Sequence, residues 1–204
     1  LQRYFSWLEK EIARNRLPDD LKYVAVAESD LLPAASSPAG AVGPWQFIRS
    51  TGTNYGLAQS EALDERRDFE RSTQSAFRYL QDLRDMFQNW TLALAGYNCG
   101  ERRVQEEIRR QKVNDYYLLK LPTETERYIF RILAIKEVLS HPAKYGYALP
   151  TGAGYPEVAV DRVDVVVPRD LPIQAVAAHA GITYREFRNL NPAFIAHSLP
   201  QGTH

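Results

Sequence analysis

The sequence has little of several features that would assign a function directly. It contains one cysteine, Cys99, in 204 residues, so no disulfide can form within the chain. Its 25 basic and 25 acidic residues give a formal net charge of zero, which does not support binding of nucleic acid or a membrane surface through bulk charge. The four histidines are scattered without paired spacing, which argues against zinc. We expect no metal and no other cofactor.

Long apolar runs are also missing. No stretch approaches the roughly 18 apolar residues that a membrane-spanning helix needs, so we expect no transmembrane segment in this chain. No signal-peptide pattern is present either, because residues 1–15 already form an amphipathic helical pattern. We therefore expect a piece of a longer protein that behaves as a compact monomer, with one large domain and one small domain.

Helical periodicity dominates the first 145 residues. Apolar side chains recur at intervals of three and four residues, and no strand-like alternation interrupts them. Residues 54–68 are polar and predict a connecting loop with a short helix, while Thr123 and Glu126 have the spacing of a capping box. The predicted helices cover residues 1–15, 21–28, 69–87, 90–97, 101–111, 113–121 and 123–139. An all-helical domain follows.

Glu28 lies on the apolar face of one of these helices. Leu21, Val24 and Ala25 precede it at helical spacing, so its carboxylate occupies a position where a core residue is expected. Loss of hydration among aliphatic side chains raises the pKa of a carboxyl group, and a protonated glutamate is a general acid. The alternative is a glutamate in a frayed last turn, whose side chain simply reaches water.

A glycine-rich segment at residues 36–47, SSPAGAVGPWQF, follows Glu28 closely. Gly40 and Gly43 allow the backbone to pack against a neighbour or a ligand. Two further short motifs are GYNCG at residues 96–100 and ETERY at residues 124–128. In this order and spacing, with Gln46 eighteen residues after Glu28, the three motifs resemble those of the soluble lytic transglycosylase family, which is related to goose-type lysozyme. The resemblance covers roughly residues 1–145.

The resemblance implies a lysozyme-like helical fold and a peptidoglycan substrate in the bacterial periplasm or cell envelope, with outer-membrane anchoring in the full-length protein. Enzymes of this family cleave the β-1,4 bond between N-acetylmuramic acid and N-acetylglucosamine without water and form 1,6-anhydro-N-acetylmuramic acid ends. Glu28 would be the single general acid and base. The substrate-binding positions that the motif match implies are Ser37, Gln46, Tyr97, Asn98 and Tyr128.

Two of the substrate-binding positions also have a purely structural interpretation. Ser37 could be a turn residue before Pro38, and Tyr128 could be a core residue, since it lies on the apolar stripe of its helix. A buried Gln46 must form a hydrogen bond with some partner. Ser29 is expected to be structural, and Cys99 to be a small filler beside the cleft, although a reactive thiol stays open.

Glycosidic bond cleavage usually takes two carboxylates, and a second one is hard to find. Asp30 would point away from Glu28 if the helix continued, while Glu101 and Glu124 have ordinary explanations as acids at helix starts. A single acid fits the lytic transglycosylases. A hydrolytic lysozyme on the same fold and a catalytically silent peptidoglycan-binding protein are the alternatives.

The composition changes after residue 147. Residues 147–160 are rich in proline and glycine and predict a linker between a catalytic domain at 1–148 and a module at 161–204. Val163–Val167 predicts a strand, and two short helices follow it. This order resembles a LysM module, a small α+β peptidoglycan-binding unit. The match is degenerate, because Arg169–Pro172 replaces the usual turn and the chain stops where a closing strand should begin. The module could bind glycan or pack on the catalytic domain.

Overall fold

A computed structural model describes residues 2–148, 150, 154–156 and 159–204. Leu1, which belongs to the first predicted helix, lies outside the described residues. Residues 2–148 fold into helices joined by loops, as the periodicity predicted. These are α1 (Gln2–Arg14), α2 (Lys22–Ser29), α3 (Arg49–Asn54), α4 (Phe69–Phe87), α5 (Trp90–Cys99), α6 (Glu101–Gln111) and α7 (Thr123–Ser140), with short 3₁₀ helices at Asp19–Leu21, Glu65–Arg67 and Pro142–Tyr145.

The chain divides into two compact units. Unit 1 comprises Leu1–Leu8, Glu28–Ser75 and Tyr155–His204, and unit 2 comprises Glu9–Ala27 and Ala76–Gly154. The C-terminal residues therefore belong to the same unit as the glycine-rich segment. The domains predicted at 1–148 and 161–204 stay a prediction.

Unit 2 is built around α5, whose apolar sequence leaves its middle buried from Leu92 to Gly96. Asn89 caps the helix, because its side-chain oxygen accepts hydrogen bonds from the amides of Thr91 and Leu92. At Gly96, an added Cβ would lie 3.0 Å from the ring of Phe87. The missing side chain thus allows α5 to pack closely against the end of α4.

Two local predictions in unit 2 were wrong. Residues 113–121 do not form a helix: Lys112 ends α6 in the left-handed conformation, and the Asp115 carboxylate accepts the amide hydrogen of Tyr117 at 2.9 Å in a turn. α7 begins at Thr123 without a capping box. Glu126 instead accepts the amide hydrogen of Leu121 at 3.2 Å, so its side chain serves the preceding loop.

The C-terminal module contains two short helices and two short strand pairs. Its elements are β1 (Val166–Val167), β2 (Leu171–Pro172), α8 (Ile173–His179), α9 (Tyr184–Leu190), β3 (Ser198–Leu199) and β4 (Gly202–Thr203). β4 pairs with β1 and β3 with β2, both antiparallel. The prediction that the chain lacks a closing strand was therefore wrong. Side chains from both helices and the strands enclose a small core of Val167, Ile173, Ala177, Phe187 and Leu199.

The other predictions for the C-terminal region concern its helices, its first strand and the linker before it. The two short helices predicted after the strand are present as α8 and α9. Thr183 and Glu186 form a capping box at the start of α9. The predicted strand at 163–167 is shorter, at Val166–Val167. The linker predicted at 147–160 lies partly outside the described residues. Within the described part of the chain, no helix is long and apolar enough to cross a membrane.

Candidate functional site

Glu28 lies in the last turn of α2, at the start of the unit 1 segment that carries the glycine-rich motif. Residues 22 to 27 of this helix are all buried, so the helix is enclosed on nearly all sides. Glu28 itself is half-buried. The helix stops directly afterwards, because Asp30 and Leu31 have positive φ angles of 54° and 62°. Asp30 is exposed. The end of α2 thus gives Glu28 partial access to solvent.

Ser29 ties this helix end to the glycine-rich segment. Its hydroxyl donates a hydrogen bond of 2.8 Å to the carbonyl of Pro44, fifteen residues further along the chain. This contact confirms the structural role expected for Ser29. It also brings the backbone next to Glu28 against the residues that precede Trp45 and Gln46.

The glycine-rich segment forms a tight turn, which we call the glycine turn (residues 36–47). Bridges join Val42 to both Ser36 and Phe47, and the amide of Gly43 donates to the carbonyl of Ala35 at 2.9 Å. Gly43 has a φ of 85°, and a Cβ there would fall 1.8 Å from the carbonyl oxygen of Arg66. Only glycine can occupy this position, because both the backbone conformation and the space require it.

Ser37 and Gln46 are half-buried in this turn and bonded to its backbone. The Ser37 hydroxyl oxygen accepts the amide hydrogen of Ala41 at 3.1 Å, which leaves its own hydrogen able to reach an acceptor. Gln46 donates from its side-chain nitrogen to the carbonyl of Gly43 at 2.8 Å. Its amide oxygen is then the group suited to accept a hydrogen bond from a hydroxyl. Gln46 has a φ of 48°, an uncommon conformation for a residue other than glycine.

The aromatic residue between these positions anchors the turn in the core. Trp45 is completely buried, and its indole nitrogen donates a 2.8 Å hydrogen bond to the Thr73 hydroxyl. Thr73 in turn donates to the carbonyl of Phe69 at 2.6 Å within α4. The buried indole therefore has the hydrogen-bond partner that it needs, and the turn is fixed to the first part of α4.

A buried ion pair, which the sequence pattern did not predict, supports the turn. Residues 54–68 were predicted to be a polar connecting loop with a short helix, and the 3₁₀ helix at Glu65–Arg67 agrees with this. Asp64 and Arg66, however, are 7% and 6% exposed. The Arg66 guanidinium donates to the carbonyls of Gly40 and Phe47, both at 3.0 Å. The only sequence signal for such a pair is the dense run of charges DERRD at residues 64–68.

The other three predicted positions belong to unit 2, at the junction of α5 and α7, which we call the α5–α7 junction. Tyr97 is half-buried at the end of α5, and its ring lies 5.3 Å from that of Tyr79, centroid to centroid. Asn98 accepts a hydrogen bond of 2.7 Å from the Thr125 hydroxyl. Tyr128 follows Thr125 by one turn of α7 and is 3% exposed. The second and third motifs are therefore joined directly, through Asn98 and Thr125.

Cys99 and Tyr116 lie at the same junction. Burial raises the pKa of the Cys99 thiol, which disfavours the reactive thiolate and supports its interpretation as a small filler. Burial also raises the pKa of Tyr116. The Tyr116 hydroxyl lies 2.6 Å from the Thr125 carbonyl and 2.9 Å from the Glu126 carbonyl. Tyr116 thereby fixes the first turn of α7.

The predicted site residues thus fall into two groups. The structure brings Glu28, Ser37 and Gln46 into one continuous segment of unit 1, and it brings Tyr97, Asn98 and Tyr128 to the α5–α7 junction of unit 2. The catalytic role of Glu28 and the substrate-binding roles of the other five residues stay predictions.

These motifs on this helical framework define a family. The family model named "Transglycosylase SLT domain" matches residues 5–119, which is more than half of the chain. The chain belongs to this lytic transglycosylase family. The match includes the glycine turn and GYNCG, while ETERY lies beyond it.

Individual relatives agree with this assignment. The chain is 37% identical over 193 residues to "Membrane-bound lytic murein transglycosylase D" of Escherichia coli K12, which covers 92% of this chain and 42% of the relative. It is 32% identical over 143 residues to "Membrane-bound lytic murein transglycosylase F" of Klebsiella pneumoniae, covering 63% and 25%. The chain therefore spans less than half the length of these relatives.

A solved structure supports the fold. The X-ray structure of an inactive mutant of the lytic transglycosylase Slt from Pseudomonas aeruginosa matches 73% of this chain and 24% of its own, with a TM-score of 0.50 and 19% identity. This likeness confirms the helical lysozyme-like fold class that the sequence predicted. The LysM resemblance of the C-terminal module is not among these findings and stays a prediction.

Proposed function

We propose that the chain is the catalytic part of a peptidoglycan lytic transglycosylase. It cleaves the β-1,4 bond between N-acetylmuramic acid and N-acetylglucosamine without water and leaves 1,6-anhydro-N-acetylmuramic acid ends. Membership of the SLT family and the names of the relatives support this substrate class. Two relatives are named membrane-bound, which favours an envelope location for the full-length protein.

The observation that carries the proposal is the position of Glu28. It is a half-buried carboxylate at the end of a helix whose six preceding residues are buried, and Ser29 beside it is bonded to the glycine turn. Such a carboxylate has partly lost its hydration and yet can reach a bound ligand, which is what a general acid requires.

The positions of three other acids in unit 1 favour a mechanism with one carboxylate. Asp64 is paired with Arg66, and Glu65 accepts the amide hydrogen of Ala58 and pairs with Arg71. Asp30 is exposed on left-handed backbone beyond the helix end. None of these three is placed as Glu28 is, in the last turn of the buried helix. None of these three is therefore a candidate equal to Glu28 for a second carboxylate that activates water.

In the proposed mechanism Glu28 first protonates the glycosidic oxygen, and the bond from that oxygen to C1 of N-acetylmuramic acid breaks. The carbonyl oxygen of the substrate's own N-acetyl group stabilises the positive charge at C1. The Glu28 carboxylate then removes the proton of the C6 hydroxyl, whose oxygen bonds to C1 and closes the 1,6-anhydro ring. Glu28 is protonated again at the end, so the cycle needs no water.

The remaining residues hold the substrate. The Ser37 hydroxyl, which keeps a hydrogen to donate, contacts the N-acetyl group, and the Gln46 amide oxygen accepts from a sugar hydroxyl. Tyr97 offers a partly exposed ring to a sugar face, and Asn98 a side-chain nitrogen. By the motif match, the Tyr128 hydroxyl orients the C6 hydroxyl of the substrate.

Mass spectrometry of the products released from purified sacculi tests the proposal. We expect muropeptides that end in 1,6-anhydro-N-acetylmuramic acid. Reducing ends, which borohydride converts to alditols, would instead indicate a hydrolytic lysozyme. Binding to sacculi without any release would indicate a silent glycan-binding protein.

A further inference from the structure

The glycine turn is held from outside its own motif. A single nitrogen of the Arg66 guanidinium donates to the carbonyls of Gly40 and Phe47, both at 3.0 Å, and so links two separate points of the turn. Ser37 and Gln46 lie on the chain between or beside these two carbonyls. Movement of Arg66 would therefore alter the spacing of the two residues proposed to hold the substrate.

Arg66 is itself rigidly oriented. Its Nε and Nη2 atoms donate to the two carboxylate oxygens of Asp64 at 2.9 and 2.8 Å, a bidentate arrangement that fixes the guanidinium plane. Both side chains are buried. Two independent contacts, through the Arg66 guanidinium and through the backbone approach of Arg66 to Gly43, thus place this residue against the turn.

The C-terminal module fixes the backbone from which Arg66 extends. The amide of Asp64 donates to the carbonyl of Ala193 at 2.8 Å, and the amide of Ile195 donates to the carbonyl of Ala62 at 2.8 Å. Leu63 and Phe194 form an antiparallel bridge between these two bonds. Residues 62–64 and 193–195 are therefore paired as in a two-stranded ladder.

We propose that Arg66 is a positioning residue of the candidate site, which sets the conformation of the glycine turn and is anchored by Asp64 and by the C-terminal module. The importance of this role for catalysis rests on the proposed function. Lysine cannot replace arginine here, because an ammonium group lacks the planar fork that reaches the carboxylate and both carbonyls together.

The test compares Arg66→Lys with Arg71→Lys in the full chain. Arg71 is a matched control, because it pairs with the neighbouring acid Glu65 at 3.0 Å but has a side chain that is 67% exposed. Hydrogen–deuterium exchange of a peptide covering residues 36–47 reports on the turn, where the amides of Val42, Gly43 and Gln46 are hydrogen-bonded. Turnover and KM on soluble glycan strands report on the site.

In Arg66→Lys we expect amide exchange in the turn to be about tenfold faster, with peptides of α5 and α7 unchanged. We expect turnover at saturating glycan to fall about tenfold, because the groups that hold the substrate lose their geometry. Arg71→Lys should match the wild type in both measurements.

Three outcomes would overturn the proposal: wild-type exchange in the turn of Arg66→Lys, a rise spread evenly over all helices, or the same effect in Arg71→Lys. If Arg66→Lys does not fold, the double variant Asp64→Asn, Arg66→Gln removes both buried charges, and the same exchange pattern is expected of it. Exchange needs no substrate. A wild-type chain that leaves glycan uncut would therefore refute the proposed function while the turn measurement still decides the role of Arg66.

Discussion

The glycine turn and the α5–α7 junction hold their motif residues by different means. At the junction, Asn98 of one motif accepts a hydrogen bond from Thr125 of the next motif, so both partners of this contact lie within the motifs. In the turn, the support comes from Arg66 and from Ala193 beyond it, neither of which belongs to a motif. A motif search therefore finds both partners of the Asn98–Thr125 bond but not the residues that support the turn.

The largest effect is expected for Glu28, which lies in the same segment of unit 1 as the glycine turn. Glu28→Gln keeps the shape and removes the proton transfer, so we predict that turnover on sacculi falls by about 10²–10⁴-fold or more with a normal melting temperature. Asp30→Asn is the control, because Asp30 is exposed, and it should retain wild-type turnover. Muropeptide release by Glu28→Gln at the wild-type rate would contradict the assignment.

Tyr128 tests whether the junction contributes to chemistry or only to folding. Tyr128→Phe removes one hydroxyl and should lower turnover roughly tenfold, or about 1.4 kcal/mol of transition-state stabilisation, with little change in melting temperature. Tyr116→Phe is a matched control, since the Tyr116 hydroxyl bonds backbone carbonyls of α7. It should lose about 1 kcal/mol of stability and keep its rate. Identical behaviour of the two variants would make Tyr128 a core residue.

The hydrogen bond between the motifs at the junction should have a measurable but smaller effect. Thr125→Val preserves the shape of a buried side chain and leaves the Asn98 oxygen without its donor, which we expect to lower the free energy of unfolding by about 1 kcal/mol. Thr91→Val removes a comparable hydroxyl contact to Asn89 that is exposed, so its cost should be smaller. Urea denaturation of both variants measures the difference. Equal losses of unfolding free energy in the two variants would show that burial does not strengthen the Thr125–Asn98 hydrogen bond.

The smallest effect is expected in the C-terminal module, which we propose to support the glycine turn rather than to bind glycan. Tyr184 and His197 line its open cavity of about 490 Å³ and are joined by a 2.8 Å hydrogen bond. We predict that Tyr184→Ala leaves the pull-down of the full chain on insoluble peptidoglycan unchanged within about twofold, since loss of one aromatic contact outside the glycan site costs no binding energy. A clear loss of binding would instead favour a glycan-binding LysM-like module.

The sequence by itself determined most of the helical framework and the motif residues. The apolar spacing located α1, α2 and α4 to α9, because a helix buries side chains at a fixed period that is readable in a single segment. The motif order indicated the family, and the family model and relatives confirmed it. The choice of Glu28 followed from one carboxylate on an apolar face, and its role stays a prediction.

Only the tertiary structure decided which residues support that site. The bonds from Arg66 to Gly40 and Phe47 span 26 and 19 residues, and the pairing of Asp64 with Ala193 spans a still longer separation. The spacing of apolar residues within one segment does not reveal such long-range bonds. Residues 54–68 were therefore predicted only to be a polar loop with a short helix. The wrong helix at 113–121 has a similar cause: apolar Tyr116 and Leu119 are buried through contacts made by a turn. Burial alone leaves the backbone conformation open, and the hydrogen bonds of the Asp115 turn decide it.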